Sequence, residues 1–184
     1  NMNTIHNKVF RNANEAYEYM HDQIIQNGVD FAGTKALFNV GFYITDPMDN
    51  KIINRERNWK QDYAESEWQW YLSGNRNISE LGKLYGKTPE IRQKPETRQA
   101  AISIYDGKEI TDYAHDTPCT YAVQFTIVHN RLDMCVTMRS NDLWYGFCND
   151  QYCFSMLQGL VAHELGIETG VYYHFAHNMH LYND

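Results

Sequence analysis

Two alternating runs, Thr120 to Val128 and Arg131 to Arg139, are separated by only His129-Asn130. No other feature narrows the fold of this chain as far. Runs of this length with alternating apolar residues predict strands, and a two-residue connection closes them as a hairpin, although His-Asn is a weaker turn signal than Asn-Gly. The hairpin carries Arg139 back alongside Cys119. A fixed cation beside a thiol lowers the thiol's pKa and supplies thiolate near neutral pH, as a nucleophilic cysteine requires. The same guanidinium can hold a phosphate through a forked pair of hydrogen bonds. Met138-Arg139-Ser140-Asn141-Asp142 adds a hydroxyl, an amide and a carboxylate to that cation, and Cys119 follows Pro118.

The flanking sequence supplies helices and further strands. Asn14 to Asn27 predicts an amphipathic helix with Ala16, Tyr17, Met20, Ile24 and Ile25 on one stripe and Gly28 as its C-cap. Lys35 to Ile44 alternates like a strand. Trp59 to Leu72 predicts a second helix ending at Gly74, with Trp59, Tyr63, Glu67, Trp70 and Tyr71 at steps of three and four. Glu67 then sits on an aromatic face, where a carboxylate ordinarily covers apolar surface with its stem and reaches water with its head. Asp150 to Leu165 is the strongest helix, its Cys153, Phe154, Met156, Leu157, Leu160, Val161 and Leu165 forming a wide apolar stripe that Gly166 stops. Gly170 to His177 returns as a strand. The set predicts one α+β domain over residues 1–184, in layers around a single core.

Composition excludes several classes of function. The net charge is −7, whereas a general nucleic-acid binder needs a basic face. One or two arginines suffice for a nucleotide monophosphate, so that class stays open. No run of 18 apolar residues exists, which predicts no membrane span. The N-terminal Asn1-Met2-Asn3-Thr4 has no apolar signal region, and the expected location is cytoplasmic. The cysteines at 119, 135, 148 and 153 form no Cys-x-x-Cys and are expected to be reduced, with Cys135 and Cys153 in the core. His174, His177 and His180 are three apart, so on a strand they alternate faces and cannot converge on one ion. No metal site is expected. His180 and Tyr182 are two apart and share a face, so imidazole and phenol can reach one hydroxyl. No Gly-rich phosphate loop, Ser-His-Asp arrangement or internal repeat is visible.

Cys119, Arg139-Ser140-x-Asp142, Gly146 and Met179-His180-Leu181-Tyr182 together resemble the active-site framework of the thymidylate synthase superfamily. Within it, Met-Arg-Ser-Asn-Asp followed by Gly146-Phe147-x-Asn149-Asp150 looks most like the phage deoxycytidylate hydroxymethylases. The resemblance runs from about Lys94 to the C-terminus. A weaker anchor is Glu67-Trp68-Gln69-Trp70-Tyr71-Leu72-Ser73-Gly74, similar to the superfamily's Glu-Leu-Leu-Trp-Phe-Leu-x-Gly.

The resemblance implies a thymidylate synthase-like fold, a mixed or antiparallel sheet with a buried central helix packed on it, assembled as a homodimer. It implies C5 hydroxymethylation of a pyrimidine nucleoside monophosphate, deoxycytidylate, with 5,10-methylenetetrahydrofolate as cofactor. In that reading Cys119 is the nucleophile and Glu67 organises proton transfer. Arg139 and Ser140 hold the phosphate, His180 and Tyr182 bind the sugar's 3′-hydroxyl, and Asp142 lies near the folate. Lys94-Pro95-Glu96-Thr97-Arg98 is similar to the family's Asp-Pro-x-Ser-Arg-Arg, which sends arginines across the dimer interface to the partner's nucleotide phosphate. Arg98 keeps the first, and Gln99 replaces the second. The family's early-loop arginine is not evident; Lys35 is a candidate substitute, and a solvated surface lysine is the preferred reading of it. Asp150 stands where thymidylate synthases carry asparagine, and a protonated aspartic acid matches the edge of cytosine; helix capping is the other reading of it. Alternatives are C5 transfer to deoxyuridylate, by thymidylate synthase or hydroxymethylase chemistry, and a non-catalytic nucleotide-binding relative. Between Ile91 and Arg92 the superfamily carries some tens of residues more, and its chains continue past the position of Asp184 into a segment that closes over ligands. A loop and a C-terminal segment omitted from the sequence are therefore expected.

Overall fold

The computed structural model describes residues 6–73, 87–103 and 119–184. Pro118 and Gly74, both used above, lie outside the described residues. In chain order the elements are β1 (His6–Phe10), α1 (Ala13–Asn27), β2 (Val29–Phe31), β3 (Thr34–Ile44), α2 (Gln61–Leu72), α3 (Thr88–Gln93), β4 (Ala101–Ser103), β5 (Thr120–Val128), β6 (Arg131–Met138) and β7 (Asn141–Asp142). A π-helical turn, Leu143–Phe147, then leads into α4 (Cys148–Leu165), and β8 (Glu168–Tyr182) follows.

The described strands form one mixed sheet in the order β1-β3-β8-β6-β5-β4, with β2 on β3 and β7 on β8. β1 runs parallel to β3, while β6 and β7 run parallel to β8; the remaining pairs are antiparallel. The expected hairpin is β5–β6, closed with Val128 opposite Arg131. His129 and Asn130 have φ of 49° and 59°. Two left-handed residues in succession are what a type I′ connection requires, and that turn follows the strands' own twist.

Alternation sets the burial of β6: Leu132, Met134, Val136 and Met138 are buried, and the residues between them are not. The core lies between this face and the helices. α4 is buried on nearly every side through its middle turns, including polar Gln151, Ser155 and Gln158. Each of these makes hydrogen bonds within the core, although Gln158 Oε1 is buried without a partner among the described residues. Gln151 Nε2 donates to the Asn50 carbonyl at 2.7 Å, and Ser155 Oγ accepts from Asn50 Nδ2 at 3.0 Å. Gln158 Nε2 donates to the carbonyls of Leu132 and Val171, at 2.9 and 3.0 Å, where the β6–β8 register shifts. Gly166 ends α4 at φ 71°, the left-handed cap that glycine adopts without strain.

Several expectations need correction. Ile25 of α1 is 57% exposed and leaves the stripe, while Ala16, Tyr17, Met20 and Ile24 are buried. Gly28 is the C-cap of α1 as expected, in an extended conformation at φ −63°. Its lack of a side chain matters because a Cβ would collide with the Ile24 carbonyl. α2 turns a different face inward: Ala64 and Trp68 are buried, whereas Tyr63 and Trp70 are exposed. The small alanine lets α2 approach α4 closely, which no larger aromatic at that position could do. Cys135 is half-buried, on the sheet face away from the core. β8 continues past His177 to Tyr182 because β3 pairs with it from Tyr172 to Tyr182 and β7 covers its end. α3 is anchored by the buried Ile91 and by Arg92, which donates to the Glu164 carbonyl at 2.7 Å.

Candidate active site

Sheet register collects the start of β5, the end of β6, β7 and the end of β8 at one edge: Thr120 pairs Met138, Met138 pairs Ala176, and Asn141 and Asp142 pair Met179 and His180. The hairpin brings Arg139 beside Cys119. The Arg139 backbone N–H donates to the Cys119 carbonyl at 2.8 Å, and its guanidinium lies 3.7 Å from the exposed Cys119 sulfur. Ser140 follows, half-buried.

Asn141 is buried and bonded to the fully buried His174, Oδ1 to Nε2 at 2.8 Å. His174 Nδ1 meets the Tyr172 hydroxyl at 3.0 Å. Burial pushes His174 down to about 3, so it is neutral at ordinary pH. With Asn141 Oδ1 as acceptor, Nε2 carries the imidazole proton and the Tyr172 hydroxyl donates to Nδ1. This chain pins the peptide between Ser140 and Asp142. Asp142 Oδ1 in turn accepts from the Trp144 backbone N–H at 2.9 Å and starts the π-helical turn.

Asp142 also walls a cavity of about 370 Å³ with His21, Trp144, Tyr145, Leu181 and Tyr182. His180 and Tyr182 stand edge to face, ring centroids 5.2 Å apart. His180 is buried and Tyr182 is 60% exposed. Burial lowers the His180 pKa, and the Asp142 charge opposes that shift. His177 is exposed and bonded to Asn39, so the three histidines do not converge; no cluster suited to a metal ion occurs among the described residues.

Two carboxyl groups lie behind this edge. Glu67 of α2 is half-buried, and its pKa is raised by desolvation and drawn back by a hydrogen bond from Cys153. Asp150 is pushed up to about 8, by desolvation first and then by the charges of Glu67 and Asp142. It therefore carries a proton at neutral pH. Capping does not explain it: α4 starts at Cys148, Phe147 holds the N-cap position, and no side chain bonds there. A Cβ at Gly146 would meet Asn141 Nδ2 at 3.1 Å, a tight approach, and Asp150 Oδ2 at 3.6 Å, an ordinary contact. Cys148 is buried, its thiol pushed up to about 12 by burial and bonded to the Leu143 carbonyl at 3.5 Å. As a buried thiol it offers no thiolate near neutral pH.

Arg98 is not brought to this edge. Its carbonyl accepts from Gln124 Nε2 at 3.3 Å, and Phe125 N donates to the Ala100 carbonyl. Gln124 is five strand residues from Cys119, a span of roughly 17 Å. Lys35 is paired with Asp30 at 2.8 Å.

The thymidylate synthase family model matches residues 83–184. The chain belongs to the thymidylate synthase family. Among its relatives, a deoxyuridylate hydroxymethyltransferase of Bacillus phage SP01 is 33% identical over 127 residues, covering 66% of this chain and 33% of that protein. A thymidylate synthase of Fusobacterium nucleatum is 29% identical over 126 residues, 68% of this chain and 46% of that one. A thymidylate synthase of Listeria monocytogenes is 26% identical over 136 residues, 74% and 42% of the two. The matched region thus spans between a third and a half of the length of these relatives.

Sequence reasoning missed Arg57. Its Nε donates to the Trp144 carbonyl at 2.7 Å, and its guanidinium lies 5.1 Å from the Trp144 ring centroid and 5.5 Å from that of Tyr145. Its only signal in the chain is a cation in the polar run Asn54-Arg55-Glu56-Arg57-Asn58 just ahead of α2. Trp144 likewise gains a place, packed against Tyr17 and His21.

Proposed function

We propose that this family member transfers a one-carbon unit to C5 of a pyrimidine nucleoside monophosphate, and that its reaction is hydroxymethylation of deoxycytidylate. The observation that carries the reading is the meeting of the exposed Cys119 thiol with the Arg139 guanidinium at the end of the hairpin. Addition of the sulfur to ring carbon 6 would turn an unreactive base into one nucleophilic at carbon 5. Glu67 moves protons for addition and elimination, a task suited to a carboxyl with a raised pKa. Arg139 and Ser140 receive the phosphate, and His180 with Tyr182 receives the sugar hydroxyl.

The cavity beside Asp142 fits 5,10-methylenetetrahydrofolate in chemistry, because aromatic walls suit a flat heterocycle and the carboxylate accepts from its ring N–H groups. Bound there, the folate supplies a one-carbon unit at the oxidation level of formaldehyde. Asp142, Trp144, Tyr145 and Tyr182 would hold it, and Arg57 braces Trp144 and Tyr145 from behind.

Asp150 decides the base. A protonated acid donates to ring nitrogen 3 of cytosine and accepts from its 4-amino group. The rise of its pKa to about 8 supports this assignment. The phage relative's name favours a second reading, deoxyuridylate as substrate with the same hydroxymethyl product. Arg98 lies along the strand from Cys119 in its own subunit, which supports its service to a partner's phosphate and hence a homodimer. The outer sheet face carries half-buried Tyr43, Tyr173 and Phe175, a surface suited to that contact. Enzyme mixed with methylenetetrahydrofolate and carbon-5-tritiated deoxycytidylate or deoxyuridylate tests the reading. Tritium release from deoxycytidylate is expected, and none from either nucleotide would overturn it.

A further inference from the structure

The second carboxyl of the site has a neighbour with no part in the mechanism above. Cys153 lies three residues after Asp150 on α4, so both side chains leave the same helix face, toward α2. Its sulfur is 3.6 Å from Glu67 Oε1 and 3.8 Å from the Ala64 carbonyl. It is buried. We infer that Cys153 is the positioning residue of Glu67: its S–H donates to one carboxylate oxygen and leaves the other oxygen for proton transfer. The inference rests on the reading of Glu67 as the proton-transfer group.

The direction of the hydrogen bond follows from chemistry. A thiol has one proton, and a carboxylate is a stronger acceptor than a peptide carbonyl, so the nearer Oε1 takes it. Burial and the neighbouring carboxyls of Glu67 and Asp150 raise the Cys153 pKa far above neutrality, and the proton stays on sulfur. Among the described residues, the titratable groups facing Glu67 are carboxyls. Asp150 faces it from α4, Glu65 on its own helix is engaged by the Tyr152 hydroxyl, and Asp142 of β7 acts on Asp150. The Cys153 hydrogen bond opposes the desolvation that raises the Glu67 pKa.

The test uses the full chain labelled with ¹³C at glutamate carboxyls, with Glu67 assigned by its loss in Glu67→Gln. In Cys153→Ala the Glu67 titration should move up by about one pH unit, the scale of one weakened hydrogen bond to a charged group. The acidic limb of the kcat/KM profile should follow it. Cys153→Ser restores a donor and should keep both near the wild-type positions. Loss of packing alone would affect Ala and Ser alike and leave the Glu67 titration in place. An unmoved titration in Cys153→Ala, or equal movement in both variants, would overturn the inference. Full tritium release by Glu67→Gln would instead remove Glu67 from the mechanism, while the NMR result would still report on the hydrogen bond.

Discussion

Replacing Asp150 by Asn should make the protein more stable and change its base. The carboxyl is raised from an ordinary 3.8 to about 8. Between those values the folded chain holds a proton that the unfolded chain has released. Stability therefore falls as pH rises through that window, and the loss is complete above the folded pKa. At pH 7 the gap from the unfolded pKa is about three units, or about 4 kcal/mol as an upper bound; with relaxation and entry of water, 2–4 kcal/mol is a reasonable range. Asparagine has nearly the same shape and no proton to hold, so Asp150→Asn should recover that amount at pH 7 and little at pH 4. Chemical denaturation of both proteins at pH 4, 6 and 8 measures the difference.

The base preference should move in the opposite sense. At pH 7 a group titrating near 8 is about nine-tenths protonated, so wild type is in its cytosine-reading form. Above pH 8, kcat/KM for deoxycytidylate should drop about tenfold per unit from this group alone. Stranding buried polar groups against the wrong base can cost on the order of 10⁴ in discrimination, and Asp150→Asn should shift the ratio toward deoxyuridylate by a large part of that. Equal pH dependence of stability in the two proteins, together with an unchanged base ratio, would refute the protonated-acid argument.

Cys119→Ser should abolish turnover and leave folding and nucleotide binding intact, because an alkoxide is scarce where a thiolate is not; calorimetry with deoxycytidylate beside the tritium assay checks this. Arg98→Ala should be inactive alone, yet mixing it with Cys119→Ser after subunit exchange should restore part of the activity, since hybrid dimers hold one intact site. No restoration would place Arg98 within its own subunit. Thr120 follows the nucleophile where thymidylate synthases carry histidine, so the expected folate product is tetrahydrofolate, and a rise in dihydrofolate absorbance during turnover would favour methyl transfer.

Local and global signals agree over the hairpin and α4, which is why both were legible. Alternation in Thr120–Val128 and Arg131–Met138 places one face on the core, and the turn residues accept the left-handed conformations that the connection needs. In α4 the apolar stripe marks the helix, but the burial of Gln151, Ser155 and Gln158 was hidden because their partners, Asn50, Leu132 and Val171, lie far away in the chain. α2 failed differently. Its aromatics lie at helical spacing, yet α4 selects the face carrying Ala64, since closeness of the two backbones outweighs the extra area of Tyr63 and Trp70.

The site divides along the same line. Cys119 and Arg139 could be paired from sequence because one two-residue turn sets their register. Arg57 could not, since its place depends on stacking against Trp144 across 87 positions of chain. Asn141 lacked a role until its partner His174 was visible beneath it. The residues proposed to touch the nucleotide were thus the easier ones to find, whereas Trp144 and Tyr145 of the cavity wall were not. Those that hold them in place belong to the core, where a polar side chain is recognised only by the group that satisfies it. That asymmetry makes His174, Asn141 and Cys153 the positions where substitutions should alter catalysis without altering any residue in contact with substrate.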